Sequence, residues 1–366
     1  MVNNEKNTTS NSNRLQQIRG LFCLMVFFSH YIGLIPGMPE AINKFPLILF
    51  RDGRGGVIVF FILSGFFSNV SYKDNSIKSM IKHIIKKCLR IYPCIWITLA
   101  FAMLICNLEL HMPIQARYFT SWFNGFWQQR VSFVDFIKQC TIVFIGNPDL
   151  INPPIWTMKI ELYMIVLSPI LLTPMRALAC KYGKNSLWLV GGFTLELVGC
   201  LLLGIRFNIL DIFCWAPIFL LGILASQLDL DKIKETHLRS PYRIIISIFA
   251  MVIGGFLVSI KCFIEFENTF IRDYIYALGI IALIYLIYIY NNHIFDFRLL
   301  SLFGDVSYEF YLVHFVVLLA LRPIVPYVGY IIYGVLAWGI SLIVAYCLMR
   351  VVSNRVRGIK KWINHW

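Results

Sequence analysis

Apolar runs of helical-span length recur along this chain at about 15–36, 55–72, 91–108, 155–173, 186–205, 208–226, 243–262, 272–290, 308–323 and 327–349. At about 1.5 Å of rise per residue, roughly 20 apolar residues cross the hydrocarbon of a bilayer. Lipid offers the backbone no hydrogen-bond partners, so such runs must satisfy their own N–H and C=O groups as helices and pack on one another. The pattern predicts an all-α, polytopic integral membrane bundle of about ten transmembrane helices. Composition agrees: 58% of the 366 residues are hydrophobic and 14% charged, against roughly 45–50% and 25% in soluble domains. A mean hydropathy of +0.71 excludes an ordinary soluble fold, and the short polar stretches leave no room for a large soluble domain.

Residues 1–14 read as a polar tail, 15–350 as a membrane domain and 351–366 as a basic tail. The first fourteen residues lack the apolar core and small-residue cleavage site of a signal peptide. With each Lys or Arg at a span end assigned to the adjoining side, 22 fall on the side of the amino terminus and 10 on the other, and Lys159 is left within a span. By the positive-inside rule both termini are cytoplasmic. The net charge of +14 is thereby explained by topology and anionic headgroups, and without a basic face interleaved with aromatics no nucleic-acid partner is expected. The ten cysteines form no C-x-x-C pair, so neither a metal site nor a disulfide framework is expected. The short run Cys140–Gly146 fits a re-entrant or interfacial piece.

An ionisable side chain inside a span costs about 2.5–3.5 kcal/mol at the bilayer centre, which makes each one a functional candidate. Arg19 and His30 stand eleven positions apart on the first span, about three turns, so they share one helix face about 16 Å apart. An interfacial anchor and a satisfied core histidine fit the same spacing. Tyr308, Tyr311 and His314 recur every three residues on the ninth span and share a stripe that needs partners inside the bundle. On the fourth span Lys159 and Glu161, two positions apart, cannot face each other; Glu161 is free to pair with His30 or His314, and an ion pair is the structural alternative. Lys86, Lys87 and Arg90 sit in a loop at the cytoplasmic end of the third span, suited to an anionic phosphate as well as to headgroups.

Five boxes in this order resemble the integral-membrane acyltransferase-3 family, over residues 14–350. They are Arg19 to His30; Phe60-Phe61-Ile62-Leu63-Ser64-Gly65-Phe66; Lys87 and Arg90 before Ile91-Tyr92-Pro93; Trp156-Thr157-Met158-Lys159-Ile160-Glu161; and Ser307-Tyr308, Tyr311-Leu312 and His314. Lys87 stands where the family carries Arg, keeping the charge and losing the bidentate fork, and Thr157 and Met158 replace Ser and Leu.

The resemblance implies a membrane O-acyltransferase of a bacterial cell membrane, moving an acyl group, usually acetyl, from cytoplasmic acyl-coenzyme A to a hydroxyl of a surface polysaccharide or lipid-linked sugar. It implies His30 as general base or acyl carrier with Glu161 orienting it, Arg19, Lys87 and Arg90 on the donor's phosphates, and Ser64, Trp156, Tyr308, Tyr311 and His314 at the substrate. Acyl-coenzyme A is a donor substrate, with no permanently bound cofactor and no metal, and since many members of the family append an extracytoplasmic hydrolase-like domain, the expectation is a chain that acts alone or with a separate extracytoplasmic partner. A transporter or flippase for a glycan, or a structural subunit of an export complex, would use the same spans without covalent chemistry.

Overall fold

Every described element of the computed structural model is helical, as apolar runs without a period of two require. The structure describes residues 2–44, 47–71, 76–109, 116–142, 147–183, 211–267, 269–290, 298–353, 355–356 and 358–359. The helices are α1 (Val2–Leu34), α2 (Gly53–Ser71), α3 (Ile77–Glu109), α4 (Ser121–Asn124), α5 (Phe133–Thr141), α6 (Trp156–Tyr182), α7 (Asp211–Gln227), α8 (Leu230–Arg239), α9 (Arg243–Val258), α10 (Thr269–Tyr290), α11 (Arg298–Ala320) and α12 (Val325–Leu348). Six spans among the described residues are long and apolar enough to cross a membrane, on α1, α3, α6, α10, α11 and α12. Helix α7 passes that test only with α8, from which it is bent by 72°, and α2 and α9 are shorter apolar helices. The span expected at 186–205, residues 143–146 of the short apolar run and the end of the basic tail from 360 lie outside the described residues.

Two boundaries differ from the sequence reading. Helix α1 begins at Val2, so the polar segment continues the helix; a formed span removes the nucleation cost, and each further residue adds a hydrogen bond. Helix α3 likewise begins fourteen residues before the apolar run and carries Lys86, Lys87 and Arg90, which are therefore helical and not in a loop. Pro93 is accommodated inside it.

The chain divides into two compact units. The first comprises Met1–Gln17, Arg54–Met80 and Tyr163–Arg298. Its α2 and α7 touch backbone to backbone: a Cβ on Gly65 would stand 2.2 Å from the Phe219 oxygen, and one on Gly222 1.9 Å from the Ile62 oxygen. Glycine is required at both positions, as in close helix crossings within membranes. Gly254 and Gly279 do the same for α9 and α10, where a Cβ on Gly279 would lie 2.8 Å from the Gly254 oxygen. Buried Asp273 receives Arg54 Nε at 2.6 Å and Arg272 Nη2 at 2.9 Å, and the Arg54 guanidinium lies 5.0 Å from the Trp215 ring centre.

The second unit comprises Ile18–Gly53, Ile81–Leu162 and Leu299–Trp366. Its centre is α11, 89% buried along its most apolar stretch, against 28% for α12. A segment rich in polar groups belongs in such a place, because a helix enclosed by protein need not be apolar all round. The long connection after α3 is tied down by its own polar groups. Tyr92 and Trp96 of α3 donate to the carbonyls of Thr141 and Cys140 at 3.0 and 2.9 Å, and Asn107 bonds both polar groups of Val131. Trp127 donates to the Ile151 carbonyl at 2.9 Å, and buried Arg322 donates to that of Phe126 at 3.2 Å.

Candidate active site

Helices α1 and α11 run in the same direction with a common register. Gly20 meets Gly304, where a Cβ on the former would come within 2.6 Å of the latter's nitrogen. One turn on, the Cys23 thiol donates to the Ser307 carbonyl at 3.3 Å. The rings of Phe27 and Phe310 follow at 5.8 Å, and the imidazoles of His30 and His314 at 5.2 Å. Gly20 is thus the close-approach point that allows two chemically loaded helix faces to lie together.

The two imidazoles meet in an aromatic setting. His30 is edge-on to Phe315 at 4.9 Å and to Trp122 at 6.0 Å; His314 stacks with Phe310 at 6.1 Å. His314 Nδ1 lies 2.8 Å from the Tyr311 carbonyl and 3.2 Å from that of Phe310. A carbonyl only accepts, so the proton is assigned to Nδ1 and the lone pair to Nε2. That Nε2 is buried without a hydrogen-bond partner among the described residues, and so is His30 Nδ1. Two buried ring nitrogens left unbonded on adjacent imidazoles are the kind of groups that proton transfer uses.

Toward the start of the same seam the groups become charged. Arg19 lies in the field of Arg90, Glu161 and Glu309, and the Arg90 guanidinium stands 5.8 Å from the Tyr308 ring centre. Lys87 precedes Arg90 by three residues on α3 and shares its face. The tyrosines of α11 are engaged with backbone: Tyr308 donates to the Ile91 carbonyl at 2.8 Å, and Tyr311, with Thr157, bonds the Pro154 carbonyl at 3.2 and 3.0 Å. Their hydroxyls fasten α11 to the starts of the apolar stretch of α3 and of α6.

A profile of the acyltransferase-3 family, described as an acyltransferase domain, matches residues 12–350. The chain belongs to the acyltransferase-3 family. Neither the search of curated proteins nor that of solved structures returns a match.

The boxes of this acyltransferase-3 chain fall in distinct places. Arg19, His30, Lys87, Arg90, Trp156, Glu161, Tyr308, Tyr311 and His314 all belong to the second unit. Within it the structure brings Arg19, Arg90, Glu161 and Tyr308 together at one level and His30 with His314 at another. The ring facing His30 is that of His314, while Glu161 neighbours Arg19, Tyr308 and Tyr311. Trp156, half-buried, opens α6 directly after Pro153-Pro154. Ser64 belongs to the first unit, where its carbonyl accepts the Ser68 hydroxyl at 2.8 Å and the neighbouring Gly65 makes the contact with α7. Sequence reasoning missed Phe315 and Trp122. The first follows a motif histidine and reads as one more apolar residue; the second sits in a connection with no periodic signal.

Proposed function

We propose that this protein is a membrane O-acyltransferase that moves an acyl group, acetyl in the simplest case, from acyl-coenzyme A to a hydroxyl of a surface polysaccharide or lipid-linked sugar in a bacterial cell membrane. The observation that carries the reading is the pair of buried, unpartnered nitrogens, His30 Nδ1 and His314 Nε2, on parallel helices in a protein of this family.

His30 removes the proton from the acceptor hydroxyl as its oxygen attacks the thioester carbonyl; the carbon–sulfur bond breaks, and coenzyme A leaves as a thiolate that takes a proton to become the thiol. His314, its Nδ1 proton held by the Tyr311 carbonyl, keeps a basic nitrogen beside His30 and shares the proton load. Arg19 and Arg90, with Lys87 on the face of Arg90, bind the donor's phosphates by charge-assisted hydrogen bonds. Glu161 acts at this charged end, holding Arg19. About ten crossings with both termini cytoplasmic put the cations where acyl-coenzyme A is found and the histidines deeper, so the donor's arm runs along the α1 seam.

The test is thiol release from acetyl-coenzyme A, together with transfer of radiolabel to glycan, in membranes containing wild type or His30→Ala. Both signals should vanish in the variant, a loss of at least a hundredfold, while the amount of inserted protein is unchanged. Undiminished transfer by His30→Ala removes His30 from the mechanism. Absence of thiol release from every short acyl donor, with glycan still crossing sealed vesicles, replaces the acyltransferase by a transporter.

A further inference from the structure

The indole of Trp122 stands beside His30 yet is 46% exposed. An interfacial tryptophan facing lipid would be unremarkable, but the neighbours of this one are interior groups. Its ring contacts Phe126 at 5.2 Å and Phe315 at 5.8 Å, and those residues are 6% and 0% exposed. The ring therefore reaches from the surface to His30.

The turn that carries it is tied down. Thr120 bonds the end of α1 twice, its nitrogen to the Leu34 carbonyl at 3.0 Å and its hydroxyl to the Gly33 carbonyl at 2.9 Å. Asn124 closes the turn from the other side with bonds to the carbonyls of Ala116 and Phe119 at 2.9 and 3.1 Å. Gly33 lies beside the six-membered ring, where a Cβ would stand in van der Waals contact at 3.5 and 3.9 Å from two of its carbons. An aromatic face fixed by its surroundings and open to a ligand binds without the entropy cost of ordering a mobile side chain.

We propose that Trp122 is the stacking platform for the acceptor sugar. The apolar face of a pyranose, with its C–H bonds, packs on an aromatic ring at about 4 Å, and the hydroxyls project from its rim. With the imidazole of His30 centred 6.0 Å from the indole centre, a rim hydroxyl reaches the roughly 3 Å that general-base catalysis demands. The platform selects a six-membered sugar ring with an unobstructed face and decides which hydroxyl points at His30. This assignment rests on the acyltransferase reading above.

Envelope polysaccharide stripped of its ester groups by mild alkali serves as the acceptor, titrated against membranes bearing wild type, Trp122→Phe or Trp122→Ala with radiolabelled acetyl-coenzyme A. The acceptor concentration at half-saturation should rise about tenfold in Trp122→Ala, the loss of one aromatic stack, and less than threefold in Trp122→Phe, which retains a smaller face. Half-saturation by acetyl-coenzyme A should not move. An unchanged acceptor curve in Trp122→Ala overturns the platform and leaves the acyltransferase standing. A shift confined to acetyl-coenzyme A overturns it too, and assigns the ring to the donor. Wild-type membranes that transfer no label to the polysaccharide sink both readings together.

Discussion

The crossing of α2 with α7 and the seam between α1 and α11 both begin with glycines, and they use them for different ends. At Gly65 and Gly222 the backbones touch, and the surrounding residues, Ile62, Phe219 and Ile223, are apolar. At Gly20 and Gly304 the backbones also touch, but the levels above carry a thiol on a carbonyl and then two facing imidazoles. Shape alone holds the first contact, because between apolar helices in lipid there is no hydrophobic driving force and packing must supply the attraction. The second contact is a scaffold for polar groups, and the glycine there sets how far apart those groups stand.

The sharpest way to break the comparison is to fill the apolar crossing. Gly222→Leu forces side-chain atoms onto the Ile62 carbonyl and should reduce folded protein, read as the monodisperse fraction in detergent, to background. Gly255→Ala in the same unit is the control, since nothing lies within 4 Å of its Cβ position, and should leave that fraction unchanged. A middle-sized effect is expected at Asp273, a carboxylate 1% exposed between two partly exposed arginines. Asp273→Asn removes the charge both guanidiniums face and should cost about 2 kcal/mol, the penalty of a broken buried pair discounted for the solvent that reaches the arginines; thermal unfolding in detergent measures it. The smallest effect belongs to the seam. Tyr311→Phe deletes one hydroxyl while Thr157 keeps its bond to Pro154, so the loss should be about 1 kcal/mol, with transfer activity within a few fold of wild type. A larger collapse of activity there would move Tyr311 from fastening α11 to binding substrate.

The helical class and the positions of most spans were legible in the sequence because apolar length is written locally. So was the shared face of Arg19 and His30, a matter of eleven residues on one helix. The pairing of His30 with His314 was not, since 284 positions separate them and only the register of two parallel helices joins them. For Glu161 spacing left either histidine open as a partner, and the structure adds that it interacts electrostatically with Arg19, 142 positions away in the sequence. The helical start of α3 was missed although its signal was present: Lys78, Lys82 and Lys86 recur every four residues, a one-sided basic stripe that a loop has no reason to keep. Trp122 left no such trace, because its role depends on where a connection folds back.

Helix α11 is enclosed by its own protein and carries Ser307, Glu309 and His314 in its buried face. As an isolated segment entering a membrane it is penalised by those groups, and its natural companion, α1, is made 284 residues earlier. At roughly 5–20 residues per second of synthesis, α1 waits about 15–55 s for the helix that completes its face. The histidine pair therefore comes into being only after α11 has been made, and a product truncated before it, however well inserted, holds one imidazole and half of a site.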